Sequence, residues 1–137
     1  MKNIVLIVFC FLSIKVTGQS LDDQLALVYL KYLSAYDLSA DHDLTYGSLN
    51  DNDYTYYNLT LNSYWTYRLT AVCDGDCSDI DLYLYDENGN IIDDDEEVDD
   101  FPIVGCNPKW SGKFKLKVKM VACNINPCRF AIAVFRK

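Results

Sequence analysis

The chain has 137 residues, half of them hydrophobic, with 12 basic side chains against 20 acidic ones and a formal net charge of −8 at pH 7. That balance argues against a nucleic-acid partner, whose affinity comes mainly from cations meeting phosphates. The length suits one domain with one core and is too short for two.

Lys2 supplies a basic start, Ile4 to Ile14 is a short apolar run, and Val16-Thr17-Gly18 offers small residues ahead of a cleavage point at Gln19. This is the pattern of a signal peptide over residues 1–18. The run falls short of the roughly 20 apolar residues that span a bilayer, so no membrane span is expected. Removing it takes away Lys2 and Lys15, leaving 10 basic against 20 acidic residues, a net charge of −10. The expected location is secreted or periplasmic. Five cysteines remain in the mature chain. Their simplest bridges are the local pairs Cys73–Cys77 and Cys123–Cys128, with Cys106 left over in an apolar stretch. A four-cysteine zinc site is the alternative, although the usual C-x2-C knuckles are absent.

Residues 19–53 read as a helix and a connection. Leu21, Leu25, Val28, Tyr32 and Tyr36 recur at spacings of three or four, which predicts a helix from Ser20 to about Leu38 packed on one end or edge of the domain. Ser20 fits its N-cap, with Asp23 three residues on. Asp41 to Asp53 is polar and turn-rich and reads as a loop.

Residues 54–137 carry strand signals. They are predicted at Tyr54 to Leu61, Tyr64 to Cys73, Ser78 to Tyr85, Asn90 to Asp93, Phe101 to Cys106, Lys113 to Cys123 and Cys128 to Arg136. In the third, Ile80, Leu82 and Leu84 share one face while Asp81, Tyr83 and Tyr85 share the other, the period of a half-buried strand. Asn88-Gly89 then reverses the chain, as both residues tolerate the positive φ of a two-residue hairpin turn. Seven to eight short strands separated by turn signals make the fold class all-β, an antiparallel β-sandwich with one N-terminal helix.

Two stretches carry a family resemblance. Asp79-Ile80-Asp81-Leu82-Tyr83-Leu84-Tyr85-Asp86 with Asn88-Gly89, and Pro108-Lys109-Trp110-Ser111-Gly112-Lys113-Phe114, make Tyr54 to Phe135 similar to the bacterial pre-peptidase C-terminal domain. The resemblance implies a jelly-roll-like sandwich, found beside the catalytic domains of exported hydrolases. It also implies a non-catalytic role in secretion, stability or attachment to a substrate, and some collagen-binding relatives hold calcium.

Three constellations bear on function. Acids crowd the span from Asp74 to Asp100 and offer the hard oxygen ligands that calcium prefers; Asp79, Asp81, Asp93 and Asp95 are the candidate ligands, against a reading as a plain solvated loop. An EF-hand is excluded by Ile91 in place of the turn glycine and by the lack of flanking helices. No other cofactor is expected. Lys113, Lys115, Lys117 and Lys119 project from one strand face, either to meet an anionic polysaccharide or acidic protein surface, or to discourage edge-to-edge pairing of strands. Exposed tyrosines suit flat partners such as sugars or extended peptides, while cross-strand packing explains the same residues without a ligand. Tyr64, Tyr83, Tyr85, Lys115 and Lys117 are the candidate binding residues for an extracellular glycan or protein. Catalytic machinery is thin: His42 is the sole histidine and falls in a predicted loop, and no nucleophile elbow or zinc-protease helix is present. A binding or accessory module, not an enzyme, is the expected function, with a calcium-stabilised structural domain and a small carboxylate hydrolase as alternatives.

Overall fold

The computed structural model describes residues 20–32, 35–39 and 41–137; the expected signal peptide, residues 1–18, lies outside them. The described strands are β1 (Asp37–Leu38), β2 (Thr45–Leu49), β3 (Tyr54–Leu61), β4 (Tyr67–Cys73), β5 (Cys77–Tyr85), β6 (Ile91–Asp95), β7 (Ile103–Cys106), β8 (Gly112–Cys123) and β9 (Cys128–Arg136). Two antiparallel sheets result. Sheet I runs β1-β9-β4-β7, with β2 also paired to β9; sheet II runs β3-β8-β5-β6. Inward residues from both sheets interleave as in a β-sandwich: Leu69, Val104, Phe130 and Val134 from sheet I meet Ile80, Leu82, Leu84, Leu116, Val118 and Met120 from sheet II. The alternation seen in the sequence thus places Ile80, Leu82 and Leu84 in the core, fully buried.

Two connections differ from expectation. The stretch Asp41 to Asp53, expected as a loop, contains β2, which pairs with β9 from Thr45↔Ile132 to Leu49↔Cys128. Its polar composition reflects an edge strand that needs only one partner. Gly47 in it lies opposite Phe130, where an added Cβ would meet the phenyl ring at 2.5 Å. The hairpin after β5 is longer than a two-residue turn. Asp86 N–H donates to Asn90 O at 2.9 Å and Gly89 N–H to Asp86 O at 3.1 Å, and within the turn only Gly89 has positive φ, at 84°. Asn88 instead donates its N–H to Asp86 Oδ1 at 2.9 Å, the local bond that makes aspartate a turn former.

The helix α1 (Leu21–Tyr32) starts as its sequence predicts. Asp23 N–H donates to Ser20 Oγ at 3.2 Å, and Asp23 Oδ2 accepts from the Ser20 hydroxyl at 2.9 Å and from Ser20 N–H at 3.3 Å. This reciprocal cap satisfies donors that the first turn leaves free. Ser20→Ala is expected to destabilise the protein by about 1 kcal/mol in urea unfolding; an unchanged midpoint would show that the helix contributes nothing to global stability. α1 is shorter than the Ser20 to Leu38 pattern, because Asp37 and Leu38 pair with Arg136 and Phe135 as β1. It also covers a face of the sandwich, not an end or edge. Leu21, Leu25 and Val28 pack on Val72, Ala131, Ala133 and Phe135, which project from the outer side of sheet I. The two alanines of β9 let the helix approach closely, and this is why β9 is apolar on both sides.

Both expected disulfides are formed. Cys73–Cys77 and Cys123–Cys128 have Cα separations of 5.9 and 5.8 Å, and Cys106 is free and buried. Each bridge joins the end of one strand to the start of the next, β4 to β5 and β8 to β9, and so ties sheet I to sheet II. Burial pushes the Cys106 thiol up from its ordinary range.

Candidate functional site

The alternation in β8 turns Leu116, Val118 and Met120 into the core and leaves Lys113, Lys115, Lys117 and Lys119 on the outer side of sheet II. β8 is central, flanked by β3 and β5. The lysines therefore guard no sheet edge, which corrects that expectation. Their role is set by what lies across from them. Tyr56 and Tyr83 oppose Lys117 from the two sides, and Asn58 and Tyr85 oppose Lys115. The Lys117 ammonium stands 4.7 Å from the Tyr54 ring and 5.0 Å from the Tyr83 ring, and Lys115 stands 5.5 Å from Tyr56. Such cation–π contacts are worth roughly 0.5–1 kcal/mol each at exposed positions.

Overlapping this ladder at Tyr56 and Lys115 lies a groove of about 670 Å³, lined by Tyr56, Asn58, Tyr85, Lys113, Lys115, the edge of the buried Phe114 and the turn Asp86 to Gly89. The turn is well anchored. Asp86 Oδ1 accepts from the N–H groups of Asn88 and Asn90, each at 2.9 Å, and its Oδ2 accepts from the Asn90 side-chain amide at 3.0 Å. The Asn90 side-chain bond leads the causes that hold the Asp86 carboxyl below its ordinary range, so it stays ionised. Burial raises the Tyr85 hydroxyl and keeps it a donor.

Of the expected binding residues, Tyr83, Tyr85, Lys115 and Lys117 come together on this face. Tyr64 does not; it sits in the β3–β4 connection, 81% exposed, with its ring edge-on to Trp65 at 5.1 Å. β4 begins only at Tyr67, because Asn62 closes a turn by accepting from Tyr64 and Trp65 N–H. Tyr56, Asn58, Lys113 and the turn residues complete the groove. Their signal in the sequence is the shared period of two in β3, β5 and β8, which becomes a site only once the register is known.

The four expected calcium ligands separate into two pairs. Asp93 Oδ2 accepts from Gly105 N–H at 2.7 Å, and Asp95 accepts from Ile103 N–H at 2.9 Å and from Glu97 N–H at 3.2 Å. These carboxylates on β6 satisfy the free edge of β7 and so tie sheet II to sheet I. They are committed to backbone. Asp79 and Asp81 lie on β5 near two irregularities in its pairing with β8. Both are buried, and burial followed by the Asp79 charge pushes the Asp81 carboxyl up to about 6, against the Tyr83 hydroxyl that donates to its Oδ2 at 3.3 Å. Burial also raises Asp79. Among the described residues, no group of three histidine, cysteine, aspartate or glutamate side chains is placed to hold a metal ion.

His42 lies in a connection, as predicted, between Ser39 Oγ at 2.8 Å from its Nδ1 and the Thr60 carbonyl at 3.0 Å from its Nε2. Both ring nitrogens are thereby engaged in joining the β1–β2 connection to β3. Among the described residues, no helix is long and apolar enough to cross a membrane. No protein-family model matches the chain, and no curated protein matches it significantly.

Proposed function

We propose that the protein is a secreted or periplasmic, non-catalytic module that binds a glycan on the outer side of sheet II. The observation that carries this reading is the groove of about 670 Å³ between Tyr56 and Tyr85. Tyr56 and Tyr85 give its lining aromatic surface on which the C–H side of a sugar ring can pack, and Asn58, Asp86, Lys113 and Lys115 offer donors and acceptors for hydroxyls. The cation–π ladder, which shares Tyr56 and Lys115 with the groove, orders these side chains before any ligand arrives, which lowers the entropy cost of binding. Two disulfides favour an oxidising compartment. An accessory role of attachment to a substrate is what the sequence resemblance of Tyr54 to Phe135 to the pre-peptidase C-terminal domain implies, and it enters as an expectation.

A glycan array followed by calorimetry on the bound sugar tests the proposal. Tyr56→Ala and Tyr85→Ala are each expected to weaken binding by roughly tenfold, about 1.4 kcal/mol, while Tyr64→Ala leaves the affinity unchanged. A folded protein that binds no glycan on the array, or an affinity indifferent to both groove tyrosines, would remove the reading.

A further inference from the structure

The acids of this chain fall into two groups when sorted by what their oxygens meet. Most of those with assigned bonds serve the backbone. Asp51 accepts from Cys123 N–H, Asp74 from Arg129 N–H and Asp99 from Phe101 N–H, each at 2.8 to 2.9 Å, in the same manner as Asp86, Asp93 and Asp95. Asp79 and Asp81 are different. They are 7% and 6% exposed, and the Oδ1 atom of each is buried with no hydrogen-bond partner. Two such oxygens, two residues apart on one strand, form a concentration of unpaired acceptor capacity that a protein interior does not ordinarily tolerate.

Their surroundings add negative charge. The acidic segment after β6 folds back onto β5, where the Asp99 carbonyl accepts from Ile80 N–H at 3.0 Å, between the two aspartates. This brings the Asp99 backbone N–H to Asp79 as a hydrogen-bond donor, and sets the Asp99 carboxylate against Asp79 and the Glu96 carboxylate against Asp81. Lys119 opposes Asp81 across the strand pair and its charge favours the ionised form of both carboxyls, but among the described residues no cation comes within ion-pair distance of either. Tyr83 supplies one donor, to Asp81 Oδ2. The Oδ1 atoms remain unanswered.

We propose that Asp79 and Asp81 are the anchoring ligands of a calcium site roofed by the segment from Glu96 to Asp99. The donors are all oxygen, with no histidine or thiol at hand, which disfavours zinc and copper. Among the described residues no three acidic, histidine or cysteine side chains are grouped here, so carbonyl and water oxygens must supply the rest of the shell around Asp79 and Asp81. Calcium accepts such a mixture in irregular geometry, whereas magnesium demands a near-ideal octahedron. The ion would answer both orphaned oxygens and pin the acidic segment to β5. The site is independent of the groove, and its failure leaves the glycan reading as it stands.

The experiment is a titration of the chelator-treated protein with calcium chloride alone near neutral pH, followed by calorimetry and thermal unfolding. Saturable binding is expected with a dissociation constant of roughly 0.1–1 mM, the weak range suited to a site of low ligand charge, together with a rise of several degrees in melting temperature. Magnesium at the same concentration gives a smaller response. Asp79→Asn and Asp81→Asn keep the shape of the side chains and are each expected to abolish both responses, while Asp93→Asn retains calcium binding. Should an asparagine variant fail to fold, the titration of the unaltered protein still decides. Absence of heat and of any melting shift at about 10 mM calcium, far above that range, overturns the proposal. So does calcium affinity that survives Asp79→Asn and Asp81→Asn, since the ion would then sit elsewhere. Stabilisation by acidification through pH 6 with no response to calcium also overturns it, because the pair would then be holding a proton in place of the metal.

Discussion

Phe130→Ala is expected to lower the unfolding free energy by about 3–5 kcal/mol, the cost of removing a buried aromatic ring and leaving a cavity. Phe130 is 1% exposed and projects from β9 into the middle of the sandwich, where its ring meets Tyr57 edge-on at a centroid distance of 6.3 Å. Gly47 on β2 faces it without a side chain, so the ring fills the space that an ordinary strand residue would occupy. Truncation therefore opens a void in the core cluster shared by both sheets. Against a total stability of roughly 5–15 kcal/mol the loss is severe, and the melting temperature is expected to fall by roughly 10–20 °C. Urea unfolding of the variant, with Phe130→Leu as a milder companion, checks it. A loss below about 1 kcal/mol would mean that the core does not close around this ring.

The second large effect is expected from the paired variant Asp93→Ala with Asp95→Ala. Each carboxylate accepts from a backbone N–H of β7, at 2.7 Å from Gly105 and 2.9 Å from Ile103. Hydrogen bonds to charged groups contribute about 1.5–3 kcal/mol each, and the half-exposed position lets water recover part of that. A combined loss of about 2–4 kcal/mol follows. Asp94, exposed and between them, provides the control: Asp94→Ala leaves stability within about 0.5 kcal/mol of the parent. Hydrogen exchange gives a local reading, as the Ile103 and Gly105 amides are expected to lose protection in the paired variant before the rest of sheet I does. Equal stabilities for the paired variant and the control would show that the acids of β6 are solvated charge and not struts between the sheets.

Several elements are legible in the amino-acid sequence alone. The Ser20–Asp23 cap depends on residues three apart, and the bridges Cys73–Cys77 and Cys123–Cys128 close loops with sequence separations of 4 and 5. β9 spans Cys128–Arg136 as its pattern predicts, and β8 departs by one residue. β2 is hidden because an edge strand with glycine and serine in it carries no alternation of apolar residues to mark it. The N-terminal helix is legible as a helix but not as the cover of sheet I, since its apolar stripe does not say which surface receives it. That surface is written in Ala131, Ala133 and Phe135, near the other end of the chain.

The candidate face shows the same division. Alternation places Lys115 and Lys117 on one side of their strand and Tyr83 and Tyr85 on one side of theirs, because side-chain direction along a strand is a local property with a period of two. It does not say that β8 lies between β3 and β5, which is what turns a row of lysines into the centre of a tyrosine-lined surface. Nor does it separate the acids. Asp93 and Asp95 look like Asp79 and Asp81 in a composition count, yet the first pair meets N–H groups of β7 8 to 12 residues away, while each of the second pair keeps one buried oxygen, Oδ1, without a partner. Neighbours along the chain are enough to mark the β-sandwich class, the helix start, the simplest disulfide pairing and the sidedness of β5 and β8. Strand adjacency, the groove beside the Asp86 turn and the buried oxygens left without partners depend instead on groups brought together across the sheets by burial of a common core, and local pattern does not carry them.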